Sequence, residues 1–266
     1  MKTFVVDLKK CVGCHNCQVA CKDEHCGNDW MPYAKPQPDT GQFWLKLEQK
    51  ERGQIPQVKV TYMAKMCQQC SNASCMKACP NGAIMRRDDG IVWIDPEKCQ
   101  GCRACVAACP YDCIFFNEEF NLAQKCTGCA HLLDRGWPIS EPRCVNNCHV
   151  GALQFGEEDE LDLEGAEKLH AEYGTQPNVW YKNLPKKFVA GTVYDPTKNE
   201  VVIGAICTLD GPAGRFVEET DHFGDFWFND LPDGEFTLTI NSAGKTKEML
   251  VSTMDKDIGL GDIPLT

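Results

Sequence analysis

Two regimes of hydrophobic patterning divide the chain. From Lys186 onward apolar and polar residues alternate with period two, the spacing of strands that bury one face. Strands are predicted over 188–194, 201–209, 215–218, 223–228, 235–241, 248–252 and 258–263. Turn residues separate them: Asp195-Pro196, Asp210-Gly211-Pro212, Pro232-Asp233-Gly234 and Ala243-Gly244. Seven short strands at this spacing predict a β-sandwich over 186–266. Upstream the apolar runs are short. Ile91-Val92-Trp93-Ile94, after the Asp88-Asp89-Gly90 turn, reads as one strand. Between the two regimes, 156–185 is predicted as a linker. It holds a solvated acidic run, Glu157-Glu158-Asp159-Glu160, and a short helix over 166–173 ended by Gly174. No apolar run reaches transmembrane length.

Composition changes this picture through one residue type. The 266 residues are 43% hydrophobic and 24% charged, as in a globular chain, and the net charge of −11 disfavours non-specific nucleic-acid binding. Cysteine is the outlier. Of 19 cysteines, 18 fall between Cys11 and Cys148, and Cys207 alone lies beyond. The opening residues Met1 to Asp7 carry no apolar signal core, so the expectation is a cytoplasmic protein. Export on a partner's signal is the open alternative. A disulfide framework fits that expectation poorly, and metal ligation fits it well.

The spacing identifies the metal chemistry. Cys11, Cys14, Cys17 and Cys21 follow C-x2-C-x2-C-x3-C, as do Cys99, Cys102, Cys105 and Cys109. Cys67, Cys70, Cys75 and Cys79 follow C-x2-C-x4-C-x3-C. Cys126 and Cys129 pair with Cys144 and Cys148 across a 14-residue insertion. Four groups of four supply the thiolates that four 4Fe–4S clusters require. Three cysteines at x2 intervals wrap one cube, and the fourth points away to a different cluster, as in two-cluster ferredoxins. Gly13, Gly101 and Gly128, between the first two cysteines of three groups, allow backbone N–H groups to approach the sulfurs. Structural zinc would call for isolated tetrahedral sets, which the first and third groups are not.

Internal repeats pair the groups. Val5 to Cys14 matches Trp93 to Cys102, and Lys125-Cys126-Thr127-Gly128-Cys129 repeats its end. Pro80 to Ile84 echoes Pro110 to Ile114 and His149 to Leu153. Each unit reads as strand, cluster loop, short helix, strand. Groups two and three, each followed by proline, form an inner ferredoxin-like module over 66–115. It is inserted in an outer module made by groups one and four, the two together spanning 1–155. The resulting sets are Cys11, Cys14, Cys17, Cys148 for cluster A and Cys126, Cys129, Cys144, Cys21 for cluster B. Cluster C takes Cys67, Cys70, Cys75, Cys109, and cluster D takes Cys99, Cys102, Cys105, Cys79. The expected fold class is α+β: two interleaved modules and a C-terminal sandwich.

This cysteine grammar resembles the iron–sulfur subunit of the dimethyl sulfoxide reductase family of molybdenum or tungsten enzymes. Several stretches outside the ligands look like the transhydroxylase branch of that family. They are Cys21-Lys22-Asp23-Glu24-His25, Trp30-Met31-Pro32-Tyr33, Glu51-Arg52-Gly53, Gln124-Lys125-Cys126-Thr127, Cys129-Ala130-His131-Leu132-Leu133-Asp134 and Trp180-Tyr181-Lys182-Asn183-Leu184. The resemblance implies a non-catalytic electron-transfer subunit. The bis-pterin cofactor and active site would lie on a separate large subunit, and an external donor or acceptor would complete the circuit. Branch members act on polyphenols by hydroxyl transfer, hydroxylation or dehydroxylation, and some lack a full third cysteine group. Here that group is complete, which favours net electron exchange. In the last domain, Gly191-Thr192-Val193 and Leu231-Pro232-Asp233-Gly234-Glu235-Phe236 resemble transthyretin-like or carboxypeptidase-regulatory-like sandwiches.

Other residues carry blander expectations. Trp30, Tyr33, Phe43 and Trp44 read as local packing or a subunit contact. Trp137 and Pro138, in the insertion, are candidates for contact with the large subunit. His15 and His149 either hydrogen-bond a cluster sulfur or sit as exposed loop histidines. Cys26, Cys113 and Cys207 are surplus, and Asp221, His222 and Asp225 read as loop solvation. A stand-alone polyferredoxin carrier is the alternative function, but it would need neither the sandwich nor the insertion.

Overall fold

The computed structural model describes residues 1–136 and 140–266, so Trp137 and Pro138 lie outside the described residues. The chain divides into two compact units, Met1–Gln49 with Tyr62–Leu184, and Lys50–Thr61 with Pro185–Thr266.

The first unit is assembled from short elements. A four-stranded sheet has the order Leu153–Glu157, Lys2–Asp7, Val179–Lys182, Ala166–Lys168. The Lys2–Asp7 strand runs parallel to Val179–Lys182, matching Phe4 with Val179 and Val6 with Tyr181. It runs antiparallel to Leu153–Glu157, matching Phe4 with Phe155. Phe4, Val5 and Val6 are all buried, as an uninterrupted apolar run between two neighbours must be. Two small hairpins, Ile84–Arg86 with Val92–Ile94 and Phe115–Asn117 with Leu122–Gln124, repeat one design.

Short helices follow the cysteine loops: Asn16–His25, Ser74–Ala78, Ala104–Ala108, Ala130–Arg135 and Arg143–Asn146. The sequence repeat is also a backbone repeat. Gly13 and Gly101 hold φ of 72° and 70°, and two residues later His15 and Arg103 hold 61° and 60°. Two left-handed residues flanking the second cysteine curl the loop tightly, and only glycine takes the first of them without strain. A side chain at Gly101 would put its Cβ 2.5 Å from the Asn121 carbonyl oxygen.

The 156–185 segment departs from the predicted linker. Ala166–Lys168 is a strand paired with Val179–Lys182, and a single 3-10 turn, Ala171–Tyr173, follows. His170 and Gly174, both left-handed, bracket that turn and stop a helix from propagating. Pairing with the sheet satisfies the backbone groups that a helix would have paired internally. Among the described residues no helix is long and apolar enough to cross a membrane.

The second unit holds two four-stranded sheets. Lys187–Asp195 pairs with Glu200–Val201, Asp225–Leu231 and, in parallel, Ile258–Pro264. Gly214–Glu219, Ile206–Gly211, Glu235–Ser242 and Lys245–Ser252 form the other sheet in that order. Val189, Val193, Phe226 and Ile263 from the first sheet share one buried core with Cys207, Leu209, Leu238 and Ile240 from the second. Period-two alternation places these side chains inward. The predicted strand over 201–209 is in fact two strands in different sheets. Gly204, at φ 74° and with its N–H on the Thr220 carbonyl, redirects the backbone from one to the other. The 186–266 region therefore has eight strands rather than seven.

A buried ion pair holds the second unit together. Arg52 Nε and Nη2 lie 2.9 and 2.6 Å from Asp257, both side chains are 9% exposed, and Asp257 also accepts the Phe188 N–H. Removing one partner strands a buried charge. Asp257→Ala is therefore expected to destabilise this unit by about 3–5 kcal/mol. Denaturant unfolding followed at Trp227, its single tryptophan, measures this. A loss below about 1 kcal/mol, the range of exposed pairs, would contradict it.

Candidate metal centres

The first unit's cysteines line cavities. One is walled by Cys11, Cys14, Cys17 and Cys148 together with Val6, Leu47, Ala64, Ala152 and Leu153. A second is walled by Cys67, Cys70, Cys75 and Cys109 with Ala73, Val92 and Ile114. A third is walled by Cys79, Cys99, Cys102 and Cys105 with Ile84, Ile94 and Ala123. Cys21, Cys126, Cys129 and Cys144 are all buried, and the charges felt most strongly by the Cys144 thiol are those of Cys129, Cys21 and Cys126. In each place the chain delivers three cysteines from one group and one from its partner group.

The thiols also order the four places. Cys17 is among the neighbours that raise the Cys21 and Cys144 thiols. Cys67 is the sulfur acting most strongly on Cys126. Cys75 lies among the neighbours of Cys105. The neighbours thus run from the Cys11 set to the Cys126 set, then to the Cys67 set and the Cys99 set.

Electrostatics test whether the residues suit iron–sulfur clusters. Burial pushes the Cys17, Cys75, Cys105 and Cys126 thiols up to about 11 and Cys70 to about 12, with neighbouring cysteines adding to the effect. Burial drives Cys21 and Cys144 well above the ordinary thiol range. Convergent thiolates in apolar walls repel one another unless a multivalent cation sits among them, so ligation must displace their protons. Donors then face the sulfurs. The N–H groups of Gly128, Ala83 and Ala123 point at Cys126, Cys79 and Cys99 at 3.4, 3.3 and 3.5 Å. The residues fit cubane clusters held by thiolates and backbone N–H groups.

Side chains complete the surroundings. His149 Nδ1 lies 4.0 Å from Cys14 Sγ and 3.4 Å from Asn16 Nδ2, and His15, though exposed, lines the cavity of Cys11, Cys14, Cys17 and Cys148. His131 Nε2 meets Glu24 at 3.0 Å and stacks on Trp30 with centroids 4.3 Å apart. Trp44 is buried in the core, and Tyr33 bonds Asp134 and Arg87. The surplus Cys113 and Cys207 are buried, the former bonding the Met66 carbonyl at 3.2 Å, and Cys26 bonds Asp39 at 3.0 Å. In the second unit, Asp221 caps the N–H groups of Phe223 and Asp225.

Two residues escaped the sequence reading. Gln69 Oε1 accepts the Val92 N–H at 2.8 Å while its amide faces the Cys126 carbonyl and sulfur. Lys125 is 2% exposed, and its ammonium lies 3.3 Å from Cys67 Sγ. Burial alone would lower its pKa, but the sulfurs of Cys67, Cys75 and Cys126 outweigh it and hold the group above its ordinary value.

Comparison with known proteins bears on the same region. The family described as a 4Fe-4S dicluster domain matches residues 58–158. The pyrogallol hydroxytransferase small subunit of Pelobacter acidigallici is 38% identical over 98% of both chains. One polypeptide of the anaerobic dimethyl sulfoxide reductase of Escherichia coli is 35% identical over 67% of this sequence and 87% of its own. One polypeptide of the tetrathionate reductase of Salmonella typhimurium is 35% identical over 70% of this sequence and 74% of its own. This protein belongs to the iron–sulfur electron-transfer subunits of the dimethyl sulfoxide reductase family of molybdopterin enzymes, in the branch of the pyrogallol hydroxytransferase small subunit.

Proposed function

We propose that this subunit carries four 4Fe–4S clusters on the sets A to D and connects a large molybdenum or tungsten bis-pterin subunit to an external electron carrier. The substrate is a hydroxylated aromatic, and the reaction exchanges electrons with the outside, as in hydroxylation or dehydroxylation. When bound, the clusters supply one-electron relays whose potentials depend on hydrogen bonding and burial. The chain's own residues separate the relays by apolar walls, order them, and aim N–H donors at their sulfurs. The observation that supports this reading is the cavity that brings Cys99, Cys102 and Cys105 of the third group together with Cys79, at one end of the order. Hydroxyl transfer between two phenols involves no net redox change and needs no such outlet.

The polyphenol substrate is supported by similarity to the Pelobacter subunit across both units, 98% of the chain, against 67–70% for the two reductase polypeptides. The second unit's two four-stranded sheets around one core support a transthyretin-like sandwich. Turnover of the purified complex on a polyphenol is expected to stop when the external carrier is withheld and resume when it is restored. Undiminished turnover without a carrier would overturn net electron exchange.

A further inference from the structure

Lys125 is a fully buried cation without an anionic side chain of its own. Its ammonium has three N–H donors, and three acceptors surround it: Cys67 Sγ at 3.3 Å, the Cys126 carbonyl at 3.0 Å and the Val92 carbonyl. Among the described residues no carboxylate lies within ion-pairing distance of it. A buried charge persists only where a counter-charge repays its desolvation. The groups placed to do so are the cysteine sulfurs on either side. Cys67 belongs to set C and Cys126 to set B, the two middle places in the order.

Lysine precedes the first cysteine in three of the repeats, as Lys10, Lys98 and Lys125. The other two are spent at the surface. Lys10 and Lys98 are 52% and 54% exposed and pair with Asp7 and Asp95 three residues earlier. Position in the repeat therefore does not explain the burial of Lys125, whereas its position between sets B and C does. Gln69, which links the Val92 N–H to Cys126, clamps the strand whose carbonyl holds the ammonium in place.

We propose that Lys125 is a positioning residue for electron transfer, a fixed positive charge that raises the reduction potentials of both middle clusters relative to the outer two. An electron arriving on either middle cluster adds negative charge beside the ammonium, and in a low-dielectric interior that attraction is strong. The step moves one electron from one relay to the next. Lys125 keeps its three protons, and no bond forms or breaks. This inference rests on the ligand sets proposed above.

The test is a redox titration of the purified complex followed by low-temperature electron paramagnetic resonance. In Lys125→Gln, an amide of similar length without the charge, two of the four clusters should become at least about tenfold harder to reduce. That is a fall of about 59 mV for a one-electron couple. The other two potentials and the iron content should not change. Lys125→Arg keeps the charge and should keep the potentials near those of the parent. Cys67→Ser and Cys126→Ser identify the signals of the two middle clusters. If those two variants alter one and the same signal, the ligand sets are wrong. If they alter different signals and Lys125→Gln leaves both potentials in place, the role of the lysine is wrong. Loss of iron in both lysine variants would also overturn it, since Lys125 would then be a packing residue.

Discussion

Cys148→Ser is expected to disable the cluster built on Cys11, Cys14 and Cys17 and to spare the one built on Cys126, Cys129 and Cys144. In linear sequence Cys148 belongs with Cys144, four residues earlier, and a reading by sequence order would assign both to one metal. The fold separates them. Cys144 lies in the helix Arg143–Asn146 with Cys129 and Cys21 as its strongest thiol neighbours, whereas Cys148 lines the cavity of Cys11, Cys14 and Cys17. A serine oxygen is a harder and weaker ligand to cluster iron than a cysteine thiolate. The variant should lose about a quarter of its iron, or keep that cluster in a three-iron form, with electron flow through the complex cut by at least about tenfold. Iron analysis and electron paramagnetic resonance read both effects. Loss of the signal that Cys126→Ser removes, instead of the one that Cys11→Ser removes, would show that sets A and B are exchanged.

Removing the iron is expected to unfold the first unit and leave the second standing. Helices of four to six residues follow three of the cysteine loops, and the two hairpins have strands of three residues. Isolated helices under about 12 residues and lone hairpins are marginal in water. The proposed ligand cysteines are themselves part of the core. Cys17, Cys21, Cys67, Cys126 and Cys144 pack with Phe4, Trp44, Leu45 and Tyr181, and Cys105 packs with Ile84, Ile94 and Ala123. Without metal the converging sulfurs have nothing to bind, so much of the folding energy of this unit is metal-binding energy. The core of the second unit contains Cys207 but no proposed ligand. Anaerobic chelation should expose 1–49 and 62–184 to protease while 50–61 and 185–266 stay protected together. A protease-resistant, iron-free first unit would contradict this.

The parts of the fold that a local rule governs were legible in the sequence. Period-two alternation marked the strands Asp225–Leu231 and Glu235–Ser242 because one face of each is buried. Cysteine spacing marked the cluster loops because ligation geometry is local to a turn. What the sequence hid depends on tertiary partners. The segment over 166–173 carries an ambiguous pattern, and its strand forms because Val179–Lys182 offers an edge. The strand over 201–209 reads as continuous because Gly204 alone signals the change of sheet. Lys10, Lys98 and Lys125 occupy one position in one repeat, and burial of the third follows from Cys67 and Val92, which come from other parts of the chain.

Iron and acid-labile sulfide counted per chain in the anaerobically purified complex test the central claim most directly. Four complete cubane sites require about sixteen of each. About twelve of each would leave one cysteine set empty and remove the basis for net electron exchange, and zinc in place of iron would contradict the cluster assignment altogether.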